Sequence, residues 1–258
     1  MREASDQTNT TMKICRFREN GQIQLAIVEG DEVWVCNNNL EKTHEVFGFN
    51  QIELLPPAAP TKIVCVGRNY AEHAKELGHE VPKEPLLFLK APSAIIGNRE
   101  PIIIPFQSRQ VEHEGELAVV FGRTCKNISD GEDVFKYVLG YTCLNDVTAR
   151  DIQRKDVQFT RAKSFDTFCP IGPFIETELD VADIRVTTAV NGIIKQDERT
   201  SQMVFPVEFL VRYISQMMTL NIGDIIATGT PSGVSRLIPG DVCEVEIEGI
   251  GILSNRVE

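Results

Sequence analysis

The sequence predicts a β-rich α+β fold, a roll of strands with few helices. Three observations lead there. Short apolar or alternating runs of strand length recur along the chain. Two Asn-Gly pairs, Asn20-Gly21 and Asn191-Gly192, lie between such runs, and Asn-Gly suits the positive φ angles of a two-residue hairpin turn. One segment, 206–218, carries the clearest amphipathic helical period, and the other helix candidates are short and irregularly placed. That excludes a regular alternation of strand and helix.

Residues 1–11 begin MREASDQTNT and are expected to be a disordered tail. Residues 13–36 read as a meander: KICRF and QLAIV join at Asn20-Gly21, and Gly30-Asp31 turns into EVWVC. LLPPAAP at 54–60 is a proline-rich boundary, which makes 12–60 a small N-terminal β module with its linker and 61–258 the main domain. KIVCVG at 62–67 is a buried strand. A short helix is expected at 70–77, ended by Gly78, with strands at 86–90 and 102–104. Ser129 and Glu132 suit a capping box for a short helix running to Val138. A strand at 138–144 leads into a polar, potentially helical segment at 146–155. Strands at 185–190 and 193–195 flank the second hairpin turn. In 206–218, Pro206 suits the first turn, and Phe209, Leu210, Tyr213, Ile214 and Met217 share a face. Strands at 224–228, 242–247 and 251–254 close the chain.

The 258 residues are 42% hydrophobic and 24% charged, the balance of a soluble globular protein. A formal net charge of −11 argues against a nucleic-acid surface but not against an anionic substrate, because a metal and a few cations reverse the potential locally. No apolar run approaches membrane-spanning length, and the first ten residues hold no signal-peptide core. The seven cysteines are scattered, odd in number and without a C-x-x-C pair. They fit a reduced cytoplasmic compartment rather than a disulfide framework or a zinc site.

The stretch 111–122, VEHEGELAVVFG, carries the sharpest chemical signal. Read as one strand, it places Glu112, Glu114 and Glu116 on a single face that runs on through Ala118 and Val120 into the core. Carboxylates crowded on a partly buried face repel each other and lose hydration, so they need a cation or protons. Asp146, at the end of the strand 138–144, can reach across a sheet to join them. Three oxygen ligands with room for a chelating substrate suit Mg²⁺ or Mn²⁺. Spacing alone does not say which two of the three glutamates bind, and it also fits a solvated edge strand. His73 and Glu76 share a helical face, where a carboxylate would fix the imidazole tautomer of a general base; a surface helix with neighbouring charges has the same spacing. Lys163, between Phe159 and Phe165, could polarise a carbonyl or bind a carboxylate, or be an ordinary loop lysine. In Thr228-Gly229-Thr230-Pro231-Ser232-Gly233, the glycines admit close backbone approach and Thr230 can hydrogen-bond an oxyanion. The segment lacks the Gly-Lys-Ser/Thr of a phosphate loop and also suits a simple turn.

Taken together, VCVGRNYAEHAKE (64–76), EPLLFLK (84–90), HEGELAVVFG (113–122), YTCLNDVTARDIQ (141–153), AKSF (162–165), Asn191-Gly192, GDIIATGTPSGV (223–234) and the closing EIEGIG resemble the fumarylacetoacetate hydrolase superfamily. The resemblance is to its small members acting on acylpyruvates and oxaloacetate. It implies a mixed β-sheet rolled into a barrel-like sandwich, assembled as a homodimer. It implies metal ligands at Glu114, Glu116 and Asp146 for Mg²⁺ or Mn²⁺, with Glu112 outside the set. The water-activating dyad falls on His73 and Glu76, within a segment that orders as a lid, and the active-site lysine on Lys163. Substrate contacts fall on Arg150, Gln153 and Thr230. The activity implied is hydrolysis of a C–C bond in a 2,4-diketo acid. Oxaloacetate decarboxylation and isomerisation or decarboxylation of a 2-hydroxyhepta-2,4-diene-1,7-dioate stand as alternatives on the same site. A catalytically silent metal- or carboxylate-binding scaffold is the alternative of another class.

Overall fold

A computed structural model describes residues 12–258; the tail expected at 1–11 lies outside them. The longest run of paired strands has the order Lys42–Gly48, Glu32–Cys36, Gln22–Glu29, Lys13–Glu19, Cys169–Glu176, Val138–Asn145, Gly115–Phe121, Ile225–Ala227, Ile63–Gly67, Leu86–Lys90. Most neighbours are antiparallel, but Ile225–Ala227 and Ile63–Gly67 run parallel, so the sheet is mixed. No pairing joins its two ends among the described residues, and the path stays open. The N-terminal meander is continuous with it: Lys13 pairs with Glu176 and Ile14 with Ile175.

A second sheet, ordered Ile193–Arg199, Arg185–Val190, Val242–Ile247, Gly251–Arg256, covers part of the first. Leu117, Val119 and Phe121 pack there with Val186, Val245 and Ile247, and with Leu210 and Ile214 of the helix Val207–Met217. Alternation explains the layering. Odd residues of Gly115–Phe121 enter this core, while Ala118 and Val120 enter a second one with Ile63, Cys65 and Ile225. Among the described residues no helix is long and apolar enough to cross a membrane.

Several expected elements differ. The stretch 111–122 is two strands, not one. Val111–Glu112 pairs with Thr148–Ala149, whereas Gly115–Phe121 belongs to the large sheet. Between them His113 and Glu114 leave the ladder, and the Gln196 carboxamide oxygen holds the Gly115 N–H at 3.0 Å and faces His113 Nδ1 at 3.1 Å. The segment 102–104 is not a strand; Pro101 and Pro105 flank it, and Ile102 makes only an isolated bridge to Val257. Residues 129–137 hold only the 3₁₀ turn Phe135–Tyr137. Gly131 has φ +79°, and only half of the expected capping box forms: the Glu132 carboxylate accepts the Ser129 N–H at 3.3 Å, while the Glu132 N–H donates to the Ser129 carbonyl rather than to its hydroxyl. The helix expected across 146–155 shrinks to Arg150–Gln153. The buried stripe of the long helix is Val207, Leu210, Val211 and Ile214. Phe209 and Met217 are exposed, Phe209 being stacked between Phe205 and Tyr213 on the outer side.

Candidate active site and metal centre

A cavity of about 310 Å³ opens beside the end of Ile63–Gly67. Its lining includes His73, Glu114, Glu116, Asp146, Arg150, Gln153, Lys163 and Thr230. Eight of the nine residues expected from the sequence therefore meet in one place, and the ninth, Glu76, stands behind His73. Glu116 arrives on Gly115–Phe121, Glu114 from the break before it, and Asp146 just past Val138–Asn145, which pairs directly with that strand. The Asn145 carboxamide fixes the break by accepting the Glu114 N–H at 2.9 Å.

Oxygens of Glu114, Glu116 and Asp146 lie within 4.8 Å of one another, and all three residues are buried. Two of them are matched by cations. Lys163 Nζ bridges Glu114 Oε2 (2.7 Å) and Asp146 Oδ2 (2.6 Å), and Lys90 Nζ donates to Asp146 Oδ1 (2.6 Å). Arg150 donates through Nε to Glu112 (2.7 Å), through Nη2 to Glu114 and through Nη1 to Gln153, so it clamps the two glutamates together. Burial alone would raise the Glu114 pKa, but Lys163 and Arg150 outweigh it and hold the carboxyl well below the ordinary range. Burial would likewise lower the Lys163 pKa, but Asp146 and Glu114 outweigh it and push it up to about 12, so this lysine is a fixed positive charge.

Glu116 is the exception. Its Oε2 accepts the Gly229 N–H at 2.8 Å, and no cation pairs with it among the described residues. Burial, then Asp146 and Glu114, push its pKa well above the ordinary carboxylate value. A buried carboxylate in that position is relieved by a proton or by a metal ion. Three carboxylates with oxygen-only donors fit a hard divalent cation, Mg²⁺ or Mn²⁺.

The helix Ala71–Glu76 presents the buried His73 to the cavity. His73 Nδ1 lies 3.1 Å from Glu76 Oε2, while Glu76 Oε1 accepts the Gly233 N–H at 3.0 Å. The carboxylate thus orients the ring and leaves Nε2 free of that contact. Thr230 donates its hydroxyl to the Gly115 carbonyl (2.8 Å) and accepts from Gln196 Nε2 (2.7 Å), which ties its loop to the strand Gly115–Phe121. Sequence reasoning missed Lys90, Gln196 and Asn145. Only Lys90 left a signal, a charge ending the apolar run LLFLK; the other two act through contacts to distant residues.

The fold and site define a β-rich protein with a buried carboxylate triad facing a His–Glu dyad. Residues 62–258 match the fumarylacetoacetate (FAA) hydrolase C-terminal family, and residues 12–57 match the Rv2993c-like N-terminal family. The chain belongs to the fumarylacetoacetate hydrolase family. It is 45% identical over 254 residues to a mitochondrial oxaloacetate tautomerase of Bos taurus, covering 93% of this chain and 78% of that protein. The 2-hydroxyhepta-2,4-diene-1,7-dioate isomerase of Mycobacterium marinum superposes with a TM-score of 0.88 at 41% identity, covering 95% of this chain and 98% of that one. Maleylpyruvate hydrolase of Sphingobium sp. SYK-6, solved with manganese(II) and pyruvate, superposes with a TM-score of 0.79 at 29% identity over 95% and 98% of the two chains.

Proposed function

We propose that the protein is a Mg²⁺- or Mn²⁺-dependent hydrolase that cleaves a C–C bond of a 2,4-diketo acid, releasing pyruvate. The observation that carries this reading is the convergence of the acidic triad, the His73–Glu76 dyad and Lys163 on one cavity. A divalent ion held by Glu114, Glu116 and Asp146 would supply Lewis-acid stabilisation of negative charge on the substrate's 2-keto oxygen. His73, oriented by Glu76, takes a proton from a water that attacks the distal carbonyl. The bond between that carbonyl carbon and the pyruvate methylene breaks, its electron pair leaves with the pyruvate fragment as an enolate, and the proton taken up by His73 is returned to the methylene carbon to give pyruvate. Lys163, which bridges Glu114 and Asp146, would offset part of this developing negative charge, and the Phe88 ring centre lies 5.0 Å from its Nζ.

Oxaloacetate tautomerisation is a second reading, supported by the bovine relative. It moves a proton at the carbon between the two carbonyl groups and needs no attacking water. Turnover of acetylpyruvate, fumarylpyruvate and oxaloacetate with and without Mn²⁺ separates the two. Metal-dependent pyruvate release from a diketo acid supports hydrolysis. Enol–keto exchange of oxaloacetate without any diketo-acid cleavage overturns it.

A further inference from the structure

We propose that Gln196 is a positioning residue that holds the two halves of the site, triad and dyad, in register through the loop 229–233. This rests on the proposed function and goes beyond its reacting groups. Two main-chain N–H groups of that loop, four residues apart, each hold one carboxylate. Gly229 donates to Glu116 (2.8 Å) and Gly233 donates to Glu76 (3.0 Å). Glu116 belongs to the triad and Glu76 to the dyad. Among the described residues, Glu76 has no hydrogen-bond partner besides Gly233 and His73. The loop is thus the hydrogen-bonded link between triad and dyad, and its shape sets the orientation of Glu76.

Gln196 pins that loop at its middle. It is fully buried on the strand Ile193–Arg199 of the second sheet. Its Nε2 donates to Thr230 Oγ1 (2.7 Å) and to the Pro231 carbonyl (2.8 Å), between the two glycines. Its Oε1 accepts the Gly115 N–H (3.0 Å) and faces His113 Nδ1 (3.1 Å). Only one orientation of the amide fits, because Gly115 offers a donor, Pro231 offers an acceptor, and neither can change role. An amide oxygen only accepts, so His113 carries its proton on Nδ1. Its Nε2 is left to accept from the Ser235 hydroxyl at 2.8 Å, which fastens the chain again just past Gly233. The loop also lies hard against the strand that carries Gln196, since a Cβ at Gly233 would clash with the Lys195 carbonyl oxygen. The metal end does not depend on the Nε2 donor. Glu114 and Asp146 are held by Lys163, Arg150 and Lys90, and Gly229 is fixed by its neighbour Thr228, whose N–H and hydroxyl both donate to the Leu117 carbonyl (3.1 and 2.8 Å). Loss of the donor strands the buried Pro231 carbonyl, lets the loop shift and loosens Glu76, while the carboxylates of the triad stay in place.

The test uses the full chain with Gln196→Met, which removes donor and acceptor, and Gln196→Glu, which keeps an acceptor for Gly115 but lacks the amide donor. Gln196→Glu carries the test if Gln196→Met does not fold. With Mg²⁺ bound, amide exchange read by NMR on glycine-labelled protein should be about 10–100-fold faster at Gly233 in both variants, as in Glu76→Ala, and within about threefold of wild type at Gly229. The kcat for cleavage of acetylpyruvate with Mn²⁺ should fall by about 10–100-fold, while KM and the Mn²⁺ Kd stay within about threefold of wild type. In a Glu76→Ala background, the Gln196 substitution should lower kcat by less than about twofold, because the residue it acts through is gone. Unchanged exchange at Gly233, equal acceleration at Gly229, a KM or Mn²⁺ Kd that rises as kcat falls, or additive losses in the double variant overturns the proposal. If wild type cleaves no diketo acid, the hydrolase reading fails, and the exchange at the two glycines alone decides the role of Gln196. If wild type cleaves diketo acids and both Gln196 variants keep its kcat, the hydrolase reading stands and the proposal falls.

Discussion

Replacing Glu116 by glutamine removes one charge from the triad while preserving shape and the acceptor for the Gly229 N–H. Two unit charges 4.8 Å apart, the upper limit of the oxygen separations here, repel by about 3.5 kcal/mol at an effective dielectric constant of 20. Glu116 faces two such neighbours, but Lys163 sits between them and cancels much of their field. A net relief of about 2 kcal/mol is expected when Glu116 would otherwise be ionised. In a chain of this size that raises the metal-free Tm by roughly 4–8 °C. The pH dependence has a definite sign. The folded pKa of Glu116 lies above its unfolded value, so the native state binds the extra proton. Its stabilising contribution is complete below the unfolded pKa and disappears as pH rises through the folded one. Wild type without metal should therefore lose stability over that window, and Glu116→Gln should not. Mn²⁺ at 100 times its Kd should stabilise wild type by about 2.7 kcal/mol, and the variant far less. Thermal melts from pH 5 to 9, with Mn²⁺ and with chelator, measure both effects. A variant less stable than wild type at high pH without metal, or one with the full metal-induced rise, would refute the reasoning.

His73→Ala should lower diketo-acid hydrolysis by about 10²–10⁴-fold while the Mn²⁺-induced rise in Tm persists; equal loss of oxaloacetate enolisation would argue against water activation as its role. Asp224 accepts from the N–H groups of Thr61 (2.9 Å), Lys62 (3.1 Å) and Asn221 (2.7 Å) and pairs with Lys62 Nζ, so Asp224→Ala should cost about 2–4 kcal/mol in urea unfolding at pH 7. Burial would raise the Asp224 pKa, but Lys62 and the N–H donors outweigh it and hold it below the ordinary aspartate value. Its contribution is present above the unfolded pKa and lost as pH falls through the folded one, so the variant's deficit should shrink in acid. Gly229→Ala places a Cβ 2.6 Å from Asn69 Cβ at φ +101°; it should destabilise the fold by about 1–3 kcal/mol and weaken Mn²⁺ binding measured by titration.

Much of the site was legible because its chemistry lies in short motifs. Glu114-Gly115-Glu116 and His73 with Glu76 were visible as spacings, and the resemblance tied them to Asp146 and Lys163. The meander and both Asn-Gly hairpins were legible because turn chemistry is local. The strand Cys169–Glu176 was not, although it lies within the large sheet. Its sequence CPIGPFIE holds two prolines and a glycine, which read as punctuation, and its place comes from partners at 13–14 and 141–144. Glu112 is a similar case. Alternation put it on the metal face, but the break at His113 turns it to Arg150, and nothing local marks that break. The Gln196 contact that holds Gly115 spans 81 residues.

The arrangement of Lys90, Arg150 and Lys163 around the carboxylates bears on how the protein is made. In a zinc finger the metal is the rivet, and the chain collapses only once it arrives. Here Lys90, Arg150 and Lys163 already hold Glu112, Glu114 and Asp146, leaving Glu116 as the residual imbalance. Folding and uptake of the proposed divalent ion are therefore expected to be separable: the chain should reach this architecture without the ion and take it up afterwards without refolding.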